Sequence, residues 1–274
     1  MNYVYALLLA IFFSRSTQAQ QLEKAWETDQ IFASPESVLY DHASGFIYVS
    51  SINGNSGDKD GNGFLSRLHA DGAVKDLRWV KGLHAPKGMA VDKGRLYVAD
   101  IDHLVEIDIL TGEIAGRYTS PDAVFLNDVA AAEDGTVYVS DSRANRIFRL
   151  KDGKLELWLT HPDFSKTNGL LVRGRYLYAG SMVIHRINRK NKRVKIIQKD
   201  CEGIDGLVET EKGELIFSNW FGRIVLRKRN KLHVLLYTKE QQINTADIFY
   251  SPELKLLLVP TFLDNRVLAY RITY

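Results

Sequence analysis

Residues 87–100 read KGMAVDKGRLYVAD: a polar opening residue, an alternating apolar strand, a Lys93-Gly94 turn, and a second strand rich in Leu, Tyr and Val. The phrase recurs along the chain. It opens at Glu36 (ESVLYD), Asn127 (NDVAAA), Asn168 (NGLLVR), Asp205 (DGLVET) and Ala246 (ADIFYS). The matching second strands read FIYVSS, TVYVSD, YLYAGS, ELIFSN and LLLVPT. Steps between opening residues are 51, 40, 41, 37 and 41 residues. Short strands repeating at this period are the sequence signature of a propeller. A third strand follows each pair, such as 64–68 or 146–150, and then a hairpin turn, Asp71-Gly72, Thr111-Gly112 or Asp152-Gly153. The expected fold is all-β: a six-bladed β-propeller with four antiparallel strands per blade.

The sixth repeat lacks a fourth strand, because the chain stops at Tyr274. A spare strand-like segment, Leu22 to Phe32, precedes the first opening residue and is expected to complete the last blade. Such closure hides sheet edges that would otherwise pair with other chains. One domain over residues 20–274 follows. Residues 1–19 read as a signal peptide: an apolar run from Tyr3 to Phe13, then Thr17-Gln18-Ala19 with small residues suited to cleavage after Ala19. The expected location is the periplasm or the outside, with no membrane span after cleavage.

Composition excludes some partners. The formal net charge is +3, and removing Arg15 with the leader lowers it further, too little to suggest nucleic acid. The basic run 186–193 falls on an outer hairpin and reads as a solvated turn. The lone Cys201 rules out an internal disulfide and is given no catalytic role.

In a closed ring the six opening residues point into one channel, where Glu36, Asn127, Asn168 and Asp205 meet. Two carboxylates and two carboxamides form an all-oxygen set, which selects a hard divalent cation. Calcium suits it best, and zinc, magnesium and manganese stay open. Zinc usually draws His or Cys, and neither occupies an opening position. Asn and Asp also favour loop ends on conformational grounds alone, which is the competing explanation. Loops after the second strands share the opening residues' face and bring polar groups there, Arg143 and Trp220 among them. The first step is longer because of an insertion, residues 53–63, on that face, where insertions usually carry binding function. Its Asp58-to-Gly63 stretch resembles the start of an EF-hand loop, but His69 stands where the last acid ligand belongs. His84 and His103 are the best-placed histidines, and both read more readily as surface or hydrogen-bonded residues than as catalysts.

Glu36 at the start of blade one, the stretch 125–128 (FLND), Asn168-Gly169 and Asp205-Gly206 resemble the SMP-30/gluconolactonase/LRE-like propellers, over all six repeats. The resemblance implies binding of calcium or another divalent ion, and in many members lactone hydrolysis. It matches Glu36, Asn168 and Asp205 to metal ligands, and Asn127 to a further ligand or a substrate-contacting residue. The stretch Pro86 to Asp92 also looks like an NHL repeat, a related propeller that often lacks enzymatic activity. Two residues depart from the pattern. Lys87 sends an ammonium towards the axis, and Ala246 offers no ligand, with Asp247 one place later.

The expected function is therefore an exported, divalent-metal-dependent hydrolase of lactones or related esters. Asp205 would be both metal ligand and activator of water, with Lys87, Asp128, Arg143 and Trp220 on the substrate. Lys87 or Arg143 would hold a substrate carboxylate or sugar oxygen. The alternative is a non-catalytic envelope propeller that binds a small molecule or a protein partner. A strictosidine-synthase-like propeller would want a catalytic Glu late in the chain, and Glu240 is only loosely placed. Oligomeric state is open.

Overall fold

The structure, a computed structural model, describes residues 21–273. The predicted leader, residues 1–19, lies outside the described residues. Six four-stranded antiparallel sheets form the blades of a propeller. Blade one comprises Pro35–Asp41, Phe46–Ser51, Gly63–Leu68 and Val74–Leu83. Blade two comprises Pro86–Asp92, Arg95–Asp100, His103–Asp108 and Ile114–Thr119. Blade three comprises Leu126–Ala131, Val137–Asp141, Arg146–Lys151 and Lys154–Thr160. Blade four comprises Leu170–Arg173, Tyr176–Gly180, Ile184–Asn188 and Val194–Gln198. Blade five comprises Leu207–Glu209, Leu215–Asn219, Arg223–Lys228 and Lys231–Tyr237.

Blade six closes the ring as expected. It comprises Phe249–Ser251, Leu256–Pro260 and Val267–Thr273, with Gln21–Glu27 as its outermost strand. Gln21 pairs with Thr273 and Glu27 with Leu268. The spare segment is strand over 21–27, shorter than its predicted extent. Beyond it the chain stays fastened to blade six, where the Thr28 N–H donates to Val267 O and the Phe32 N–H to Asn265 O. Among the described residues no helix is long and apolar enough to cross a membrane.

The alternating strands bury both faces, so the core lies between blades rather than in one centre. Six apolar clusters each span one blade pair. Leu39, Tyr48 and Leu65 of blade one meet Met89, Val98 and Val105 of blade two. Val38, Ile47 and Val49 meet Leu256, Leu258 and Val267 across the closure between blades one and six. Each fully buried side chain of this kind contributes roughly 1.5–3 kcal/mol.

At the axis the inner strands approach too closely for side chains at every position. A Cβ on Gly88 would lie 2.2 Å from Asp128 Oδ1, and one on Gly206 would lie 2.8 Å from Asp247 Oδ1. Glycine in one blade therefore makes room for aspartate in the next. Asp128 and Asp247 use that room to stitch blades together. The Leu170 N–H donates to Asp128 Oδ2 at 2.5 Å, tying blade three to blade four. Ser37 Oγ donates to Asp247 Oδ2 at 2.6 Å, and the Asp247 N–H to Glu36 O at 2.9 Å, tying blade six to blade one.

Candidate functional site

Three of the opening residues sit where strand register slips. Pairing shifts between Pro35 and Ser37, between Pro86 and Met89, and between Leu126 and Val129. Such bulges re-aim side chains and are frequent beside active sites. Here they flank Glu36, Lys87 and Asn127. These three, with Asn168 and Asp205, line one cavity of about 660 Å³. Arg143 and Trp220 line it too. The four residues predicted as metal ligands are thus brought together, with three of the four predicted substrate residues.

Asp128 is placed elsewhere. It lines a second cavity of about 340 Å³, between apolar side chains such as Val38, Met89, Val129 and Val208. Both its oxygens accept backbone N–H groups, from Val129 and Leu170. Ala246 does not line the larger cavity, and its carbonyl accepts a bond from Ser218 Oγ at 2.6 Å.

Inside the larger cavity the polar groups are unevenly satisfied. Asn168 Nδ2 donates to Asp205 Oδ1 at 2.6 Å, and Asn127 Nδ2 to Ser142 Oγ at 3.2 Å. Glu36 Oε2 and Asn127 Oδ1 are buried and accept no hydrogen bond. Lys87 pairs with neither Asp128 nor Asp205. Its Nζ donates to Ala85 O at 2.7 Å and to Ser56 O at 3.0 Å, and lies 4.5 Å from the centre of the Phe125 ring. Among the described residues no three of His, Cys, Asp or Glu form a ready-made metal cage. The set here mixes carboxylates with carboxamides. Its two bare buried oxygens fit a hard cation, and the ammonium of Lys87 is drawn aside to two carbonyls.

Burial dominates the electrostatics. It pushes the Asp205 carboxyl up to about 7, against the lowering effect of the Asn168 bond. It raises Glu36 well above the usual range, and the neighbouring Asp205 adds to the rise while Lys87 opposes it. Asp128 is raised to about 7 by burial, and Asp247 is raised strongly by burial and then by Asp128. Burial lowers Lys87 to about 8; Glu36 and Asp100 pull it up, and Arg143 pushes it down. Four buried carboxyls thus share one axis with one buried amine, a concentration typical of functional sites.

The insertion at 53–63 is fastened to blade two. Lys59 pairs with Asp102 at 2.6 Å, and the Gly61 N–H donates to His84 Nδ1 at 3.1 Å. His84 is therefore a fastener of this loop. His103 pairs with Asp102 at 2.8 Å. The acids of the EF-hand-like stretch bond within the loop, Asp58 to Asn55 and Asp60 to Asn62.

The acids ending the second strands of blades two and three serve the backbone. Asp100 accepts the N–H groups of His84 and Ala85, and Asp141 those of Val124 and Phe125. Sequence reasoning missed Phe125, Lys166 and Phe262, all on the cavity wall. Phe125 was within reach, since it precedes an opening residue in FLND. Phe262 lies in the loop after the second strand of blade six, on the face the repeat points to, and Lys166 in the connection into blade four, whose course the repeat does not give.

No protein-family model matches the chain, and no curated protein sequence matches it either. Solved structures do. A gluconolactonase by family assignment superposes with a TM-score of 0.69 at 16% identity, covering 93% of this chain and 92% of the other. A virginiamycin B lyase from Staphylococcus aureus superposes at 0.65 and 13% identity, covering 93% and 100%. The WD40 propeller domain of Doa1 superposes at 0.63 and 11% identity, covering 85% and 77%. At these identities the likeness is one of fold. It spans enzymes and a propeller type that hosts many other functions.

Proposed function

We propose that the axial cavity binds a divalent cation, calcium by its all-oxygen donor set, and hydrolyses a lactone or related ester. One observation carries the reading. Glu36 Oε2 and Asn127 Oδ1 are buried without hydrogen-bond partners in the cavity that Asp205 and Asn168 also line. A buried polar group left unpaired costs about 1–3 kcal/mol. A hard cation held by Glu36, Asn127, Asn168 and Asp205 removes that cost and offsets the two carboxylate charges. Magnesium and manganese favour the same oxygens, and zinc tolerates them less.

Bound there, the cation supplies Lewis-acid polarisation of the substrate carbonyl. The chain's own groups do the rest. Asn168 fixes the Asp205 carboxylate through the 2.6 Å bond. Asp205 takes a proton from water as the water oxygen bonds to the carbonyl carbon, the carbon–oxygen single bond to the leaving oxygen then breaks, and the proton passes to that oxygen. The products are a carboxylic acid and an alcohol, joined in one molecule when a lactone opens. The likeness to a gluconolactonase by family assignment lends this reading a precedent on the same fold. The apolar run Tyr3 to Phe13 and the Thr17-Gln18-Ala19 site support work in the periplasm or outside the cell.

Metal analysis of purified protein, followed by a lactone and aryl-ester panel with and without chelator, tests the proposal. The expected result is stoichiometric metal, chelator-sensitive hydrolysis, and loss of turnover in Asp205→Ala. Full metal-dependent activity in Asp205→Ala would overturn the assignment. A second reading, a non-catalytic binding propeller, is favoured by Lys87, whose buried ammonium takes one of the axial positions. Calcium raising Tm with no hydrolysis across the panel would select it.

A further inference from the structure

The larger cavity has two unlike walls. Lys87 of blade two, Arg143 of blade three and Lys166, on the connection into blade four, line one side. Trp220 of blade five, with Phe262 and Leu263 of blade six, lines the side half a turn of the ring away. We infer that this cavity is a receptor for an amphipathic organic anion, its carboxylate on the cationic wall and an aryl-sized apolar end on the aromatic wall. The hydrolase reading makes that molecule a substrate, an ester or lactone with a free acid group, and to that extent the inference rests on it. The binding site itself does not.

Phe125 organises the cationic wall. Lys87 Nζ lies 4.5 Å from its ring centre and the Arg143 guanidinium carbon 4.0 Å. The ring is buried, and its backbone is fixed by the Asp141 carboxylate. Two like charges are thus held within 4.5 Å of the centre of one aromatic ring. Like charges repel, and burial first, then Arg143, hold the Lys87 amine below its ordinary value. Neither Arg143 nor Lys166 has a carboxylate in ion-pair range among the described residues. An ammonium has three donors, and Lys87 spends two on Ala85 O and Ser56 O. One remains. A carboxylate that meets this donor and the Arg143 fork relieves the repulsion and gains charge-assisted hydrogen bonds.

The opposite wall has the complementary chemistry. Trp220 is 40% exposed and Leu263 58%. Trp220 and Phe262 meet in a T-shaped pair, with ring centres 5.7 Å apart, and both line the cavity. Trp220 and Leu263 also line a neighbouring recess of about 520 Å³, with Gln241, Gln242 and Asn244. The aromatic seat therefore continues outward from the axis. Exposed aromatic surface beside a few placed polar groups is the usual make-up of a small-molecule site.

The test is calorimetric titration with chelator present, so that the cation and hydrolysis play no part. The probes are 3-phenylpropionate, its neutral amide, and acetate. The acid should bind at least about tenfold tighter than the amide, the worth of one charge-assisted contact. Arg143→Gln should abolish that preference, and Arg143 is exposed enough for the variant to fold. Trp220→Ala should weaken acid and amide alike, and acetate should bind more weakly than 3-phenylpropionate. Equal affinity for acid and amide, or an unchanged preference in Arg143→Gln, would overturn the inference. Because the titration contains no metal, a failed lactone panel leaves this result standing, and a failed titration leaves the hydrolase reading standing.

Discussion

Asn168 Nδ2 donates to Asp205 Oδ1 at 2.6 Å, and this bond joins the inner ends of blades four and five inside the axial cavity. It fixes a carboxylate that burial makes costly to ionise. The bond needs an acceptor, not a charge, so the two properties of Asp205 can be separated. In Asp205→Asn the new amide oxygen still accepts from Asn168, while the buried charge is gone. Without metal at pH 7.5 the variant should melt higher than the wild type, by about 2–4 °C for each kcal/mol recovered. Calcium should stabilise the wild type and leave the variant unmoved, and turnover should vanish. A variant that melts lower without metal would contradict the charge argument.

The axial carboxyls also set a pH dependence. Asp128 and Asp205 are raised to about 7 in the folded protein, and burial raises Glu36 and Asp247 well above the usual carboxylate range. Their unfolded values lie near about 4. A folded value above the unfolded one gives stability that is complete below the unfolded value and is lost as pH rises through the folded one. Lys87 works the other way. Its folded value, about 8, lies below its ordinary value, so its ammonium costs stability below about 8 and that cost fades as pH rises further. In chelator, Tm should therefore fall from pH 5 towards 7.5 and level or recover above about 8. Saturating calcium should flatten the fall. Scanning calorimetry across this range checks it, and a steady rise in Tm from pH 5 to 7.5 would contradict it.

The blades were legible because each repeat states its strands twice over, in apolar alternation and in turn chemistry. Lys93-Gly94 shows the second signal: both residues adopt positive φ, 47° and 76°, as a tight hairpin requires. The meeting of Glu36, Asn127, Asn168 and Asp205 followed from chain direction alone. What the sequence hid was the level at which each side chain enters the axis. Asn127 and Asp128 are neighbours in a strand whose register slips between Leu126 and Val129, so simple alternation does not say which cavity each one faces. Backbone demand was hidden too. Asp100 and Asp141 end second strands on the face of the opening residues, yet their oxygens are committed to N–H groups 15 to 17 residues upstream. Composition cannot distinguish an acid that serves the backbone from one that serves a ligand.

Close packing at the axis gives a stability test independent of function. A Cβ on Gly88 meets Asp128 Oδ1 at 2.2 Å and Asp128 Cα at 2.6 Å, and the second contact is backbone. Gly88→Ala must therefore push blades two and three apart. Overpacking of this kind typically costs 1–3 kcal/mol and occasionally more, so urea unfolding should show a loss of about 2 kcal/mol or greater. Gly153→Ala is the control. Nothing lies near its Cβ, and its cost comes from positive φ alone, about 1 kcal/mol. Equal losses in the two variants would refute the crowding argument.

Lys87 separates the two functional readings. It is a buried ammonium on an axis of carboxyls, close enough to Glu36 for each to shift the other. If the site takes a divalent cation, the ammonium repels it, and Lys87→Met should tighten calcium binding by about tenfold, or 1.4 kcal/mol. Methionine fills much of the same space, and the lost bonds to Ser56 O and Ala85 O should loosen the 53–63 loop and leave the blades intact. If Lys87 is instead the resident cation of a binding propeller, its removal strands Glu36 without the positive charge that opposes its burial. The variant should then lose stability that calcium does not restore. Calorimetric calcium titration of wild type and variant, with Tm read at each calcium level, distinguishes the outcomes. Tighter calcium binding with a restored Tm supports the metal-dependent site, and an unrestored loss supports the lysine-balanced one.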